Sequence, residues 1–287
     1  MFITDLDGYA TARGITKVQA AGEMKRLCAQ HNLEIVCLGS FDNFEGHPRR
    51  SLEERLRIAR EWIAMADGLG TDVIQVPSND DKDAVGDIDT IVANLQALAD
   101  LGLRQESPDT ARPLVVEHVA RPNYGLCLDT YLVLARLWSD PRSPSGRRPG
   151  GDAALHMSLE TFRARIPDSA TAASSTTQAP IVYVQLSDAE RLAPPILPGH
   201  ATYSEHQDGV HSWCRYGRLF PLERARSAYL PVLDVARTWS KDSGWTGGWL
   251  SIDVFHRDME REGSGPEHWA ERGTRSWEEL VKRLGEE

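Results

Sequence analysis

An α/β fold with a parallel sheet is what this sequence of 287 residues predicts. Short apolar runs alternate with longer stretches of 3.6-residue periodicity. Runs that are apolar at nearly every position suit strands buried on both faces, and strands separated by helices pair in parallel through crossovers. The length allows one domain of β/α-barrel size or two smaller ones. The βα rhythm continues to the end of the chain, so 1–287 is read as a single domain.

The expected strands, in order, are 33–38 (LEIVCL), 72–76 (DVIQV), 113–117 (PLVVE), 124–129 (YGLCLD), 181–185 (IVYVQ) and 249–254 (WLSIDV). Ile3, between Phe2 and Leu6, is placed in one more strand at the start. Helices are expected over 16–31, with Thr16 as N-cap, and over 51–69, where Ser51 and Glu54 form a capping-box pattern and Gly70 ends the helix. A further helix covers 87–101 and stops at Gly102. The last three cover 152–165, 229–240 and 267–284. Segments 140–151 and 169–180, rich in Pro, Gly, Ser and Thr, read as loops. Residues 193–221 form a long irregular stretch with His200, His206 and His211, and loops of such length are commonly functional.

Forty-two acidic against 32 basic residues give a net charge of −10, which argues against nucleic acid as a partner. No apolar run has the length of a membrane span, and Asp5 and Asp7 interrupt any signal peptide, so a cytoplasmic protein is expected. Cys28, Cys37, Cys127 and Cys214 form no CxxC pair and are read as reduced thiols.

Polar residues close several of the apolar runs. Glu117, Asp129 and Gln185 end their strands, and Asp253 sits in the last one. In a parallel barrel these ends open on one face and converge. Three carboxylates and an amide make an oxygen-rich set suited to Mg²⁺ or Mn²⁺, whose charge would offset their repulsion. Taken singly, each also fits a helix N-cap, a surface ion pair or an ordinary polar strand end. His200 and His211 are candidate bases, and Arg215 and Arg218 can clamp a carboxylate substrate or simply pin a loop. Trp213 and Phe220 read as packing anchors.

The segments GTDVIQVPSN, RPNYGLCLDT, VYVQLSDAERL, LPGH, SWCRYGRLFP and YLPVLDVAR, in this order, resemble the fungal-type 3-dehydroshikimate dehydratases. These belong to the sugar phosphate isomerase/epimerase superfamily with the xylose isomerase-like TIM barrel. The resemblance covers the chain from about residue 20 onward. It implies a (β/α)8 barrel and a metal-dependent lyase converting the small molecule 3-dehydroshikimate to protocatechuate in quinate and shikimate catabolism. Carried over, the metal ligands are Glu117, Asp129, Gln185 and Asp253. Ser212, with Arg215 or Arg218, falls in a region that contacts substrate in the family. Beside the two loop histidines His200 and His211, Arg215 is taken as a catalytic candidate, and Ser212 and Arg218 as substrate-binding ones. The chain departs from the pattern in four ways. The first βα unit of relatives precedes Met1, and a helix is missing between Glu117 and Asp129. Asp253 stands where the family has Glu, and Leu132 where it has a polar residue. The barrel is therefore expected to be incomplete. The alternatives are a sugar isomerase or epimerase of the same superfamily, and a non-catalytic degenerate barrel.

Overall fold

The computed structural model describes residues 1–79, 81, 83–103, 119, 121, 123–165, 181–205, 208–242, 248–261 and 263–286. The chain divides into two compact units, Met1–Leu126 and Cys127–Glu287.

The first unit is built on four helices, α1 (Ile3–Arg13), α2 (Lys17–Gln30), α3 (Leu52–Leu69) and α4 (Ile88–Leu103). Each packs on its successor. The caps are those the sequence announces. The Thr16 side chain accepts from the Gln19 amide and the Gln19 side chain answers, closing a capping box. Ser51 Oγ accepts from the Glu54 amide at 3.2 Å, and Gly70 ends α3 at φ 77°, where only a residue without Cβ sits freely. Leu6, Ala20, Ala21, Leu38, Phe44 and Leu69 are buried in its core.

Two expectations for this unit are corrected. Ile3 opens α1 rather than lying in a strand: the Asp5 and Leu6 amides turn back onto the Phe2 carbonyl, and Asp5 favours the helix N-terminus. The runs at 33–38 and 72–76 form no continuous strands. They meet in a single parallel bridge, Leu38 with Ile74, and a second bridge joins Phe2 to Gly39. The parallel pairing is as expected; the extent is not.

Strand β1 (Leu126–Asp129) starts at the unit boundary and belongs to the second unit from Cys127 on; it is followed by α5 (Thr130–Leu137), α6 (Gly151–Arg165), β2 (Ile181–Leu186) and β3 (Asp188–Ala189). Then come α7 (Gly209–Tyr216), β4 (Arg218–Leu219), α8 (Val232–Arg237), β5 (Trp249–Ile252) and α9 (Pro266–Gly285). Strands β1, β2 and β5 form one sheet in that order, and β2 and β5 run parallel with Gln185 opposite Ser251. Cys127 bonds Gln185 while Thr130 bonds Ser187, so β1 and β2 also advance together. Strands β3 and β4 form a short antiparallel pair. Leu134, Val184, Leu186, Trp213, Leu230 and Val235 lie in the core around this sheet.

Among the described residues the strands make an open sheet and not a closed barrel. Helices α1, α5 and α7 are additions to the sequence reading, whereas the expected strand 113–117, and with it Glu117, lies outside the described residues. Among the described residues no helix is long and apolar enough to cross a membrane.

Candidate active site

Strand β1 delivers Asp129 to the start of α5, where its Oδ1 accepts the Leu132 amide at 3.2 Å as an N-cap. Gln185 is near the end of β2, 8% exposed, and its Oε1 accepts from the Cys127 thiol at 3.2 Å. Asp253 follows β5 directly, its amide held by the Leu186 carbonyl at 3.2 Å. Three of the four residues read from the strand ends therefore sit at the C-terminal edge of three adjacent strands. The fourth, Glu117, is outside the described residues.

Arg218 binds two of them. Its Nη1 donates to Asp129 Oδ2 at 2.9 Å and to Asp253 Oδ2 at 2.8 Å, with Ser187 Oγ at 3.3 Å. Nη2 donates to Cys214 Sγ at 3.1 Å. The guanidinium lies 4.3 Å from the centre of the Tyr131 ring and 5.6 Å from that of Phe255. Its Nε is buried, with no hydrogen-bond partner among the described residues. Backbone placement comes from β4, paired with β3, and from the Arg218 amide donating to the Phe255 carbonyl. Burial by itself would weaken the Arg218 charge; Asp129, Cys214 and Asp253 outweigh it and raise the pKa. For Asp253 burial dominates and, with the Asp129 charge, pushes the carboxyl up to about 6 although Arg218 pulls it down.

The donor set suits a hard divalent ion: two carboxylates and an amide oxygen, with the carboxylates near enough to share one nitrogen. Among the described residues no three His, Cys, Asp or Glu side chains converge as a metal-holding group. Asp129, Asp253 and Gln185 are the oxygen donors that the described residues bring to this edge.

The remaining sequence candidates lie on α7, whose Cys214 bonds Arg218, or in the stretches beside it. Ser212 is 1% exposed and its hydroxyl donates to the Thr202 carbonyl. His200 is half-buried, and its Nδ1 accepts the Thr202 amide at 3.2 Å. A neutral ring then carries its proton on Nε2, which makes His200 a donor. His211 is half-buried on α7, and Arg215 is exposed at the end of that helix. Trp213 and Phe220 are buried, as packing anchors should be.

Two ionic features escaped the sequence reading. Asp188, 0% exposed, accepts the amides of Ala189, Tyr229 and Leu230 on Oδ1 at 2.8, 3.0 and 2.8 Å, and that of Leu222 on Oδ2 at 3.3 Å. Burial pushes its carboxyl up to about 6, against the pull of those amides. Glu190 bonds Arg257 at 2.6 Å, with His256 Nε2 at 3.7 Å. Burial raises its pKa, but the His256 and Arg257 contacts outweigh it and bring the group down to about 2. The signal for Asp188 was its place two residues past the largely apolar strand β2, in SDAER.

Comparison with solved structures defines the class of the fold. A xylose isomerase-like TIM barrel/4-hydroxyphenylpyruvate dioxygenase fusion protein matches with a TM-score of 0.62 at 21% identity, over 92% of this chain and 36% of that one. The IolI protein with a bound zinc atom gives 0.57 at 13%, over 93% and 83%. A xylose isomerase domain protein from Alicyclobacillus acidocaldarius gives 0.53 at 16%, over 99% and 88%. The fold is therefore of the xylose isomerase-like TIM-barrel class. No family profile matches the chain. In sequence, the 3-dehydroshikimate dehydratase of Neurospora crassa is 37% identical over 288 residues, covering 93% of this chain and 77% of that protein. The chain belongs to the 3-dehydroshikimate dehydratase family. The Pseudomonas aeruginosa enzyme of that name is 33% identical over 134 residues, and the matched part is 21% of its length.

Proposed function

We propose that the chain dehydrates 3-dehydroshikimate to protocatechuate and water at the C-terminal edge of β1, β2 and β5. The observation that supports this reading is the convergence of Asp129, Gln185 and Asp253 at that edge, in a chain 37% identical to a 3-dehydroshikimate dehydratase. Asp129, Gln185 and Asp253, with Glu117 as fourth, would hold a divalent cation, Mg²⁺ or Mn²⁺. When bound, such an ion supplies Lewis-acid stabilisation of charge on a substrate oxygen. The chain's own groups do the rest. Arg218 carries a forked donor set suited to the substrate carboxylate, with Arg215 and Ser212 as further contacts. His211 is the candidate base for the proton lost beside the ketone; its imidazolium returns that proton to the departing hydroxyl, which leaves as water, and the Nε2–H of a neutral His200 is suited to hydrogen-bond that oxygen. Four free thiols suit the reducing cytosol.

The test is protocatechuate formation followed by its ultraviolet absorbance, with and without chelator. Activity that disappears with chelator and returns with Mg²⁺ or Mn²⁺ is the expected result. An absence of protocatechuate at saturating ion and substrate overturns the reading.

A further inference from the structure

We propose that Arg218 and a divalent cation are alternative partners of the Asp129–Asp253 pair, so that loading the ion frees the guanidinium. The inference rests on the reading of that pair as an ion site.

One nitrogen, Nη1, serves Oδ2 of both carboxylates, at 2.9 and 2.8 Å. A divalent ion bound by the same two oxygens at about 2.1 Å would lie no farther than about 4 Å from Nη1. Two cations at that separation repel strongly where water is excluded, and the Arg218, Asp129 and Asp253 side chains are only 4%, 5% and 12% exposed. Asp129 cannot simply turn its other oxygen to the ion, because Oδ1 holds the Leu132 amide at the start of α5. The weaker hold is on Arg218. Apart from the carboxylates and Ser187, its guanidinium contacts the Cys214 thiol and two ring faces, and Nε has no hydrogen-bond partner among the described residues. Its main chain is fixed by β3 and by Phe255, so the exchange needs only side-chain rotation. A released guanidinium then presents its fork to an anionic substrate.

Two measurements test this. Calorimetric titration with Mn²⁺ compares wild type with Arg218→Gln; the expected result is affinity at least tenfold higher in the variant. Arg218→Gln leaves two buried carboxylates uncompensated and is the variant at risk of misfolding, so the second measurement uses the wild-type protein. The Arg218 Nε–Hε resonance, assigned by its loss in Arg218→Lys, is followed as Mg²⁺ is added. It should shift along the same saturation curve as the heat of binding. Saturable binding with an unmoved Arg218 resonance, or equal or weaker affinity in Arg218→Gln, overturns the exchange and leaves the ion site standing. No binding to any of the proteins overturns both.

Discussion

Asp188 and Asp129 both stand at strand ends of the second unit and are 0% and 6% exposed, yet their charges are met by different means. Around Asp188 the donors are four main-chain amides, those of Ala189, Leu222, Tyr229 and Leu230. Around Asp129 and Asp253 the shared donor is one long side chain, Arg218. Main-chain donors cannot leave without unfolding the segment that carries them. A guanidinium can rotate away at the cost of its own contacts. Of two comparably buried acids, the first is therefore a fixed part of the architecture and the second is exchangeable.

Breaking the fixed arrangement should have the largest effect. Asp188→Ala orphans four amides, two of them buried and two part-buried, at about 1–3 kcal/mol for each buried one, so a loss of about 4 kcal/mol is expected in urea unfolding. Asp188→Asn keeps an acceptor for the Oδ1 bonds and should cost far less. The same pair of proteins tests the pH response. Asp188 holds its proton to about pH 6 when folded but releases it near 3.8 when unfolded. Its contribution to stability is therefore present below 3.8 and lost as pH rises to 6, and Asp188→Asn should remove that slope.

The exchangeable arrangement comes next. Arg218→Met leaves Asp129 and Asp253 without their cation and should destabilise by about 3 kcal/mol in chelator. Adding Asp129→Asn and Asp253→Asn to Arg218→Met should recover most of that loss. Equal instability of the single and triple variants would show that Arg218 acts through packing on Tyr131 rather than through charge.

Glu190 supplies a contrast of opposite sign. Its folded pKa of about 2 lies below the ordinary 4.5, so its stabilisation is present above pH 4.5 and lost as pH falls through 2. The side chain is partly open to water, so the gain is about 1–2 kcal/mol. Glu190→Gln should flatten the acid limb of the stability profile by that amount, measured by thermal melts between pH 2 and 5. The smallest effect belongs to Asp253→Glu. One added methylene restores the reach of the family's carboxylate and should tighten Mn²⁺ binding several-fold, about 1 kcal/mol or less. Equal or weaker calorimetric affinity would mean that the backbone around residue 253 already suits Asp.

The sequence made the strand ends legible because a polar residue closing an apolar run is a local signal. Asp129, Gln185 and Asp253 were found that way, and Thr16 and Ser51 by the short-range chemistry of caps. Arg218 stands out in the sequence as a carboxylate clamp; the carboxylates it meets in the structure, Asp129 and Asp253, are 89 and 35 residues away in the chain. No periodicity encodes a pairing at such separations. Asp188 was passed over for the same reason: its donors at 222, 229 and 230 carry no side-chain signature, since they are amides. Helix α1 was missed because its apolar residues make a weak stripe, with Leu6 and Ala10 as its buried positions. Helices α5 and α7 have eight residues each, too few for a repeat to declare itself.

The ligation of Asp188 also fixes an order of events when the chain is synthesised. Its carboxylate emerges 34, 41 and 42 residues ahead of the amides of Leu222, Tyr229 and Leu230. Until those arrive, withdrawing the charge from water is unfavourable, so the nascent β2–β3 segment keeps an ionised, hydrated end. That end discourages the apolar strand IVYVQL from associating with neighbouring chains on the ribosome. Arrival of Leu230 supplies the missing donors, and the acid that had kept the segment apart becomes the point onto which it closes.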